Sequence, residues 1–504
     1  MNQVPSSNSF NKTIAPKGER RVIRALIQCL DRRAIDYCHW KSNCRLEDTL
    51  AGDEDIDVLV RRQQATAFQQ AIAECGYKLA LSSTGAEHPS TFHALALDAE
   101  SGELVDLHVC HQVYSGDSLV KNYRMALEEP LLTQTRKLHG IKVPVAELEL
   151  LYFVLRIALK HLSVIEVLKS NRKYYKTSDE LVWLRSQASS QAAAELCQKL
   201  FPAIGHSLFF QLIAAIENPG ALARRVVLGW KVRWRLRGTR RLLSPVETAS
   251  RLWRFMLFIK SRLTRQKGMH LQAGGLIVAL VGPKATGKST LANELARRLG
   301  KHLKVVRIHA GKPPSSLLSW LPNLLVPLAR KLFPHERLSE YEAPERRARR
   351  DYSLFYVTRM TLLAYDRRRL LRRALRQSAA GAIVISDRFP TKMTGAIDSS
   401  CFDGAAIDNC KNGLKRWLMG WERKLYSEMP APDIVLKLEA PIDTALARDA
   451  SRNKQGGPNA DAVRRRWDLE SSPDFQDCSV VRIDTTEALA ESGRKAALAV
   501  WAAL

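Results

Sequence analysis

Residues 276–299 constrain the fold more than any other stretch of this chain. The apolar run Leu276-Ile277-Val278-Ala279-Leu280-Val281 leads into Gly282-Pro283-Lys284-Ala285-Thr286-Gly287-Lys288-Ser289, and a helical pattern over 290–299 follows at once. This is GxxxxGK[ST] set between a buried strand and a helix, an order that puts backbone N–H groups and a helix N-terminus around phosphate oxygens. In that reading Gly282, Pro283, Lys284, Ala285, Thr286, Gly287 and Thr290 line the nucleotide, Lys288 reaches the β- and γ-phosphates, and Ser289 holds Mg²⁺. ATP and Mg²⁺ are therefore the expected cofactors. From Leu276 onward strand and helix patterns alternate to the C-terminus, which predicts an α/β unit with a parallel sheet.

A second apolar run, 382–386, ends in Asp387-Arg388-Phe389-Pro390. The C-terminal end of a parallel strand is where an open α/β sheet gathers its phosphoryl chemistry, so Asp387 is expected as a Mg²⁺ ligand and catalytic residue, with Arg388 neutralising the transferring group. Of the many arginines on the helical stretch upstream, Arg359 and Arg367 stand out; Arg367 joins Lys288, Asp387 and Arg388 as a catalytic candidate. A further strand over 432–438 leads to a helix carrying Arg448, expected at the nucleotide. The basic segment Arg452-Asn453-Lys454-Gln455-Gly456-Gly457 then suits closure over it.

Together the P-loop, Ala364-Tyr365-Asp366-Arg367, Val384-Ile385-Ser386-Asp387-Arg388-Phe389, the strand 432–438, the basic stretch 448–454 and the closing run 480–486 resemble the thymidylate kinase family of P-loop nucleoside monophosphate kinases. The resemblance covers about residues 274–504. It implies ATP-dependent phosphoryl transfer to a nucleotide or another anionic, phosphorylated acceptor. The family usually has an acid at the third P-loop position, contacting a sugar hydroxyl of the acceptor; Lys284 stands there and argues against ordinary thymidylate. With His309-Ala310-Gly311-Lys312-Pro313-Pro314, the chain looks more like kinase-like proteins found with bacterial surface-polysaccharide genes.

Near the N-terminus, Gly52-Asp53-Glu54-Asp55-Ile56-Asp57-Val58-Leu59-Val60 sets Asp55 and Asp57 two apart on a strand, hence on one face. An apparent hairpin over 92–109 brings Asp106 onto a neighbouring strand as a third carboxylate. Three carboxylates on one face suit two Mg²⁺ ions in nucleotidyl transfer. The arrangement resembles the nucleotidyltransferase fold over about residues 20–125, with Trp40-Lys41-Ser42-Asn43 where that family has a Gly-Ser turn. Only Ser42 matches, and Lys41 replaces the glycine that admits the triphosphate. An active transferase, a binding module and ordinary surface acids all remain open readings. His108 and His111 beside Cys110 read as a strand alternating its faces rather than as a metal site.

The 504 residues allow roughly three compact units. The expected organisation is a disordered lead over 1–18, an α+β nucleotidyltransferase-like domain over 19–145, a helical domain over 146–220, a basic amphipathic linker over 221–270 and the P-loop domain over 271–504. Leu150, Phe153, Val154 and Ile157 form one apolar stripe in the helical part. The net charge of +27 points to anionic partners. Residues 221–270 hold 14 Lys or Arg against the single acid Glu247, giving +13, with Trp230, Trp234, Trp253 and Phe255 interleaved. Three readings fit that segment: a linker packed on a neighbouring domain, weak peripheral association with an anionic membrane, and, less favoured, nucleic-acid binding.

Nine cysteines without a CxxC pair read as reduced thiols of a cytoplasmic protein. The leading function is an ATP-dependent phosphotransferase. The alternatives are nucleotidyl transfer by Asp55, Asp57 and Asp106, and a nucleotide-gated regulatory protein.

Overall fold

The computed structural model describes residues 18–84, 87–160, 174–218, 222–263, 268–320, 322, 324, 350–391, 393–394, 396, 398–450, 467, 475 and 478–504. The expected lead over 1–18 falls almost wholly outside the described residues, as does the basic segment 452–457. The chain divides into two compact units, 1–100 with 104–266 and 101–103 with 267–504.

The first unit opens with α1 (Arg21–Arg32), whose Ile23, Leu26, Ile27 and Leu30 recur at helical spacing and are all buried. Strands β1 (Tyr37–His39) and β2 (Ile56–Val60) follow, then α2 (Ala65–Glu74), β3 (Lys78–Leu81), β4 (Thr91–Leu97) and β5 (Leu104–Cys110). The strands hydrogen-bond in the order β1-β2-β5-β4-β3. Only β2 and β5 run parallel. Side chains alternate across the sheet. Ile56, Val58, Val60, Val105, Leu107 and Val109 pack with α1 and α2 on one face. Asp55, Asp57, Asp106 and His108 therefore share the other.

Helices α3 (Ala146–Lys160), α4 (Tyr174–Gln187), α5 (Ser190–Leu200), α6 (Gly205–Glu217), α7 (Leu222–Arg235) and α8 (Ser244–Leu263) complete this unit. The stripe Leu150, Phe153, Val154 and Ile157 of α3 is buried with Ala194 and Cys197 of α5, Phe209 and Leu212 of α6, and Leu228 and Val232 of α7. Trp40, Leu59, Cys110 and Tyr123 belong to the same cluster, so a continuous core runs past residues 145 and 220.

The second unit contains β6 (Ile277–Val281), α9 (Lys288–Leu299), β7 (Val305–Ile308), α10 (Leu354–Ala379), β8 (Ile383–Asp387), α11 (Gly413–Ser427), β9 (Ile434–Glu439), α12 (Ile442–Ala450), β10 (Ser479–Asp484) and α13 (Leu489–Ala502). The five strands of this sheet are all parallel, in the order β7-β8-β6-β9-β10. The parallel sheet expected from the sequence is present. Strand β6 is buried along its whole length, as its unbroken apolar run requires. Because β8 and β9 flank β6, the loop after β6 opens at the carboxyl edge where such sheets bind ligands.

Candidate phosphate-binding site

The loop between β6 and α9 has the backbone of a phosphate cradle. Gly282 lies at φ 138°, Ala285 at 67° and Gly287 at 92°. A side chain at Gly282 would bring its Cβ to 2.6 Å from the Leu438 carbonyl oxygen, so glycine is required where the loop leaves the sheet. Thr286 is fully buried and its hydroxyl donates to the Pro283 carbonyl at 2.8 Å, which fixes the turn. Lys288 Nζ reaches back over the loop and donates to the carbonyls of Gly282 and Pro283, 2.7 Å each. Pro283 is buried, while Gly282, Lys284 and Gly287 are half-buried and Ser289 and Thr290 are exposed at the start of α9.

Asp387, the last residue of β8, stands in register with Leu280 of β6, one residue before that strand ends. That register brings its carboxylate to the helix start, where Ser289 Oγ donates to Asp387 Oδ2. A hydroxyl and a carboxylate oxygen thus converge beside the loop. Both are hard oxygen donors of the kind Mg²⁺ takes, so the donor set fits the expected ion.

Beyond Asp387, two arginines border the site, Arg367 buried and Arg388 partly exposed. Arg367 lies on the inward stripe of α10, with Val357, Met360, Ala364, Leu371 and Ala374. Its Nε donates to the Ala310 carbonyl at 2.7 Å, one Nη donates to the Tyr426 hydroxyl, and the other lies 3.1 Å from Asp398 Oδ1. Arg388, held at φ 91°, places Nη1 3.5 Å from Asp398 Oδ2. Asp398 therefore bridges the two arginines. Its own φ is 63°, and a Cβ on Gly311 would come within 2.8 Å of its carboxylate. Arg359 is half-buried on α10.

On the other side of the loop, a cavity of about 320 Å³ is lined by Ala285, Gly287, Leu291, Arg448, Thr485 and Leu489, among others. Arg448 is fixed there by donating to the Thr485 carbonyl at 2.7 Å and to its hydroxyl at 3.4 Å. A predominantly apolar slot closed by a guanidinium suits a flat heteroaromatic ring next to the phosphates.

Residues 277–472 match a family model described as an AAA domain. The matched stretch starts on the first residue of β6 and takes in the P-loop, Arg367, Asp387, Arg388 and Arg448, so these residues carry an AAA-type P-loop domain. The uncharacterized ATP-binding protein YghR of Escherichia coli K12 is 27% identical over 179 residues, which are 34% of this chain and 68% of that protein. YghS of the same strain, described in the same words, is 27% identical over 178 residues, 34% of this chain and 72% of its own. A solved structure of deoxyadenosine kinase from M. mycoides with bound dATP aligns with 44% of this chain and 98% of its own, at 14% identity and a TM-score of 0.26.

In the first unit, oxygens of Asp55 and Asp106 lie within 4.8 Å of each other. Asp57 takes other partners: Lys41 Nζ at 2.8 Å and His108 Nδ1 at 2.7 Å. Burial alone would raise the Asp57 carboxyl, but Lys41 and then His108 outweigh it and hold the group well below the usual carboxylate range. Asp106 is bound by His93 Nδ1 at 3.0 Å, and the rings of His93 and His108 stack with centroids 4.7 Å apart. His111 contacts the Val60 carbonyl at 3.3 Å. Ser42, in the left-handed region at φ 59°, donates to Glu180 at 3.3 Å.

Sequence reasoning missed Asp398, Tyr426 and Glu422. Glu422 is fully buried on α11, accepting from Ser400 Oγ at 2.7 Å and the Cys401 amide at 2.9 Å. Burial pushes its carboxyl up to about 7. No sequence motif marks these three, because their partners lie 10 to 59 positions away. Thr485 was within reach, since it belongs to the run 480–486 that closes the resemblance.

Proposed function

We propose that the P-loop domain is a phosphotransferase that moves the γ-phosphoryl group of ATP to an anionic, phosphorylated acceptor. The convergence of Ser289 and Asp387 at the mouth of the loop carries this reading. ATP as donor is supported by the P-loop and by the relatives described as ATP-binding proteins. Loop amides and the α9 N-terminus hold the phosphate chain. As a polyphosphate enters, it competes with the Gly282 and Pro283 carbonyls for the Lys288 ammonium, which then stabilises charge on the transferring group. Ser289 and Asp387 would hold Mg²⁺, which supplies charge neutralisation between the phosphates when bound. Arg388 and Arg367 face the acceptor side, where paired guanidiniums suit a phosphate oxygen. Arg448 closes the cavity taken by the base.

Lys284 places a cation, rather than an acid, at the loop position facing the acceptor, which favours an acceptor with negative charge there, such as a sugar phosphate. The test is transfer of label to a panel of nucleoside monophosphates and sugar phosphates from γ-labelled and from α-labelled ATP. Label from the γ position supports the proposal. Label from the α position with pyrophosphate release would instead support nucleotidyl transfer in the first unit, a second reading favoured by the proximity of Asp55 and Asp106.

A further inference from the structure

Helix α8 is built inside out. Its inward side is polar: Glu247 accepts from Arg233 at 2.8 Å and from Arg251 at 3.1 Å, Arg251 reaches Asp117 at 2.5 Å, and Arg254 donates to the Glu87 carbonyl at 2.7 Å. Glu247 is the one fully buried residue of its 20. On the opposite side Leu252, Met256, Ile259 and Leu263 follow one another at helical spacing, with exposures of 61%, 61%, 36% and 78%. Phe255 and Trp253 flank the stripe, also exposed, and Lys260 and Arg262 stand exposed at its edges. A surface helix of a soluble domain does the reverse, burying its apolar stripe and wetting its charges. Helix α7 adds Val227, Trp230 and Trp234, exposed, with Arg233 and Arg237 over the two indoles.

From this geometry we infer that α8 is a docking surface for an anionic lipid bilayer. Ion pairs on the inward side fasten the helix to its unit while the apolar stripe is held outward. Such a helix lies in the plane of the interface, its apolar face entering about 5–10 Å into the headgroup and acyl boundary. Charge complementarity selects the occupant: with +13 over 221–270, the segment matches the negative potential of anionic lipids. The indoles of Trp230, Trp234 and Trp253 are of the kind that settles at headgroup depth. Among the described residues no helix is long and apolar enough to cross a bilayer, so the contact is peripheral.

The experiment is flotation of the full chain with phosphatidylcholine vesicles, with and without phosphatidylserine. It is run at about 0.05 M and about 0.5 M salt, between which the screening length falls from more than 10 Å to less than 8 Å. The expected result is binding to the phosphatidylserine vesicles, strong at low salt and reduced but measurable at high salt. Met256→Glu combined with Ile259→Glu should lower it at least tenfold. Lys260→Glu combined with Arg262→Glu should weaken the preference for phosphatidylserine. Because all four positions are exposed, nucleotide binding at the P-loop should stay at the wild-type level in every variant; Met256→Ser with Ile259→Ser serves if the acidic pair fails to fold. Absence of flotation at low salt overturns the inference, as does unchanged flotation of the folded stripe variants. Self-association abolished by the same variants, without flotation, overturns it in favour of a second copy of the chain. Lipid-independent binding of RNA, again without flotation, overturns it in favour of nucleic acid.

Discussion

Ser289 Oγ donates to Asp387 Oδ2, joining the first turn of α9 to the last residue of β8 across 98 positions of sequence. Parallel pairing of β6 with β8 makes the contact possible, since Leu280 and Asp387 stand level in the sheet. Replacing Asp387 by Asn keeps the shape and one acceptor oxygen but removes the charge. The Asp387→Asn variant should lose about 10²-fold in turnover, with ATP affinity changed much less. Turnover at the wild-type rate would make the residue an ordinary strand end.

Under the proposed function Asp398 is a positioning residue. It spans Arg367 and Arg388, and a charge-assisted hydrogen bond of this kind contributes about 1.5–3 kcal/mol. In Asp398→Ala, KM for the acceptor should rise about tenfold or more while KM for ATP stays unchanged. Steady-state kinetics with each substrate varied in turn checks this. Equal changes in both constants would contradict it.

The Gly282 position should not admit a side chain. Its φ of 138° lies where only glycine is comfortable, and the Leu438 carbonyl blocks the Cβ. Gly282→Ala should cost about 2 kcal/mol or more, read by chemical denaturation. A loss below about 0.5 kcal/mol would show that the loop has room, since surface substitutions usually cost no more.

Glu422 gives stability a pH dependence with a definite sign. Its carboxyl is raised from an ordinary 4.5 to about 7 by burial, so between those values the folded protein holds a proton that the unfolded chain has released. Stability should therefore fall as pH rises through that window, by roughly 3 kcal/mol once complete. In Glu422→Gln the difference in melting temperature between pH 5 and pH 8 should shrink relative to wild type. An identical difference would mean that Glu422 titrates normally.

The P-loop, Asp387 and the parallel sheet were legible because each rests on local pattern: a glycine spacing, an apolar run, a carboxylate at its end. The hairpin 92–109 and the stripe of α3 were legible for the same reason. The cluster of arginines beyond Asp387 was half legible. Arg367 stood out, yet nothing in its neighbourhood announced Asp398, 31 positions on, or Tyr426, 59 positions on. The same holds for Asp57, whose neutralisation by Lys41 follows from the antiparallel pairing of β1 with β2 rather than from either segment alone. The basic amphipathic character of 221–270 could be read directly, but which side of α8 packs could not. That side is decided by distant partners, Asp117 and Glu87.

The most direct test of the account compares wild type with Lys288→Ala for label transferred from γ-labelled and α-labelled ATP to the acceptor panel. The Lys288 ammonium lies at the loop surface, donating to two carbonyls, so its loss should leave the fold intact. The account predicts γ-label on an acceptor with wild type, a rate at least ~10²-fold lower with Lys288→Ala, and no transfer of α-label by either. Equal γ-transfer by both proteins, or α-label moving while γ-label does not, would contradict it.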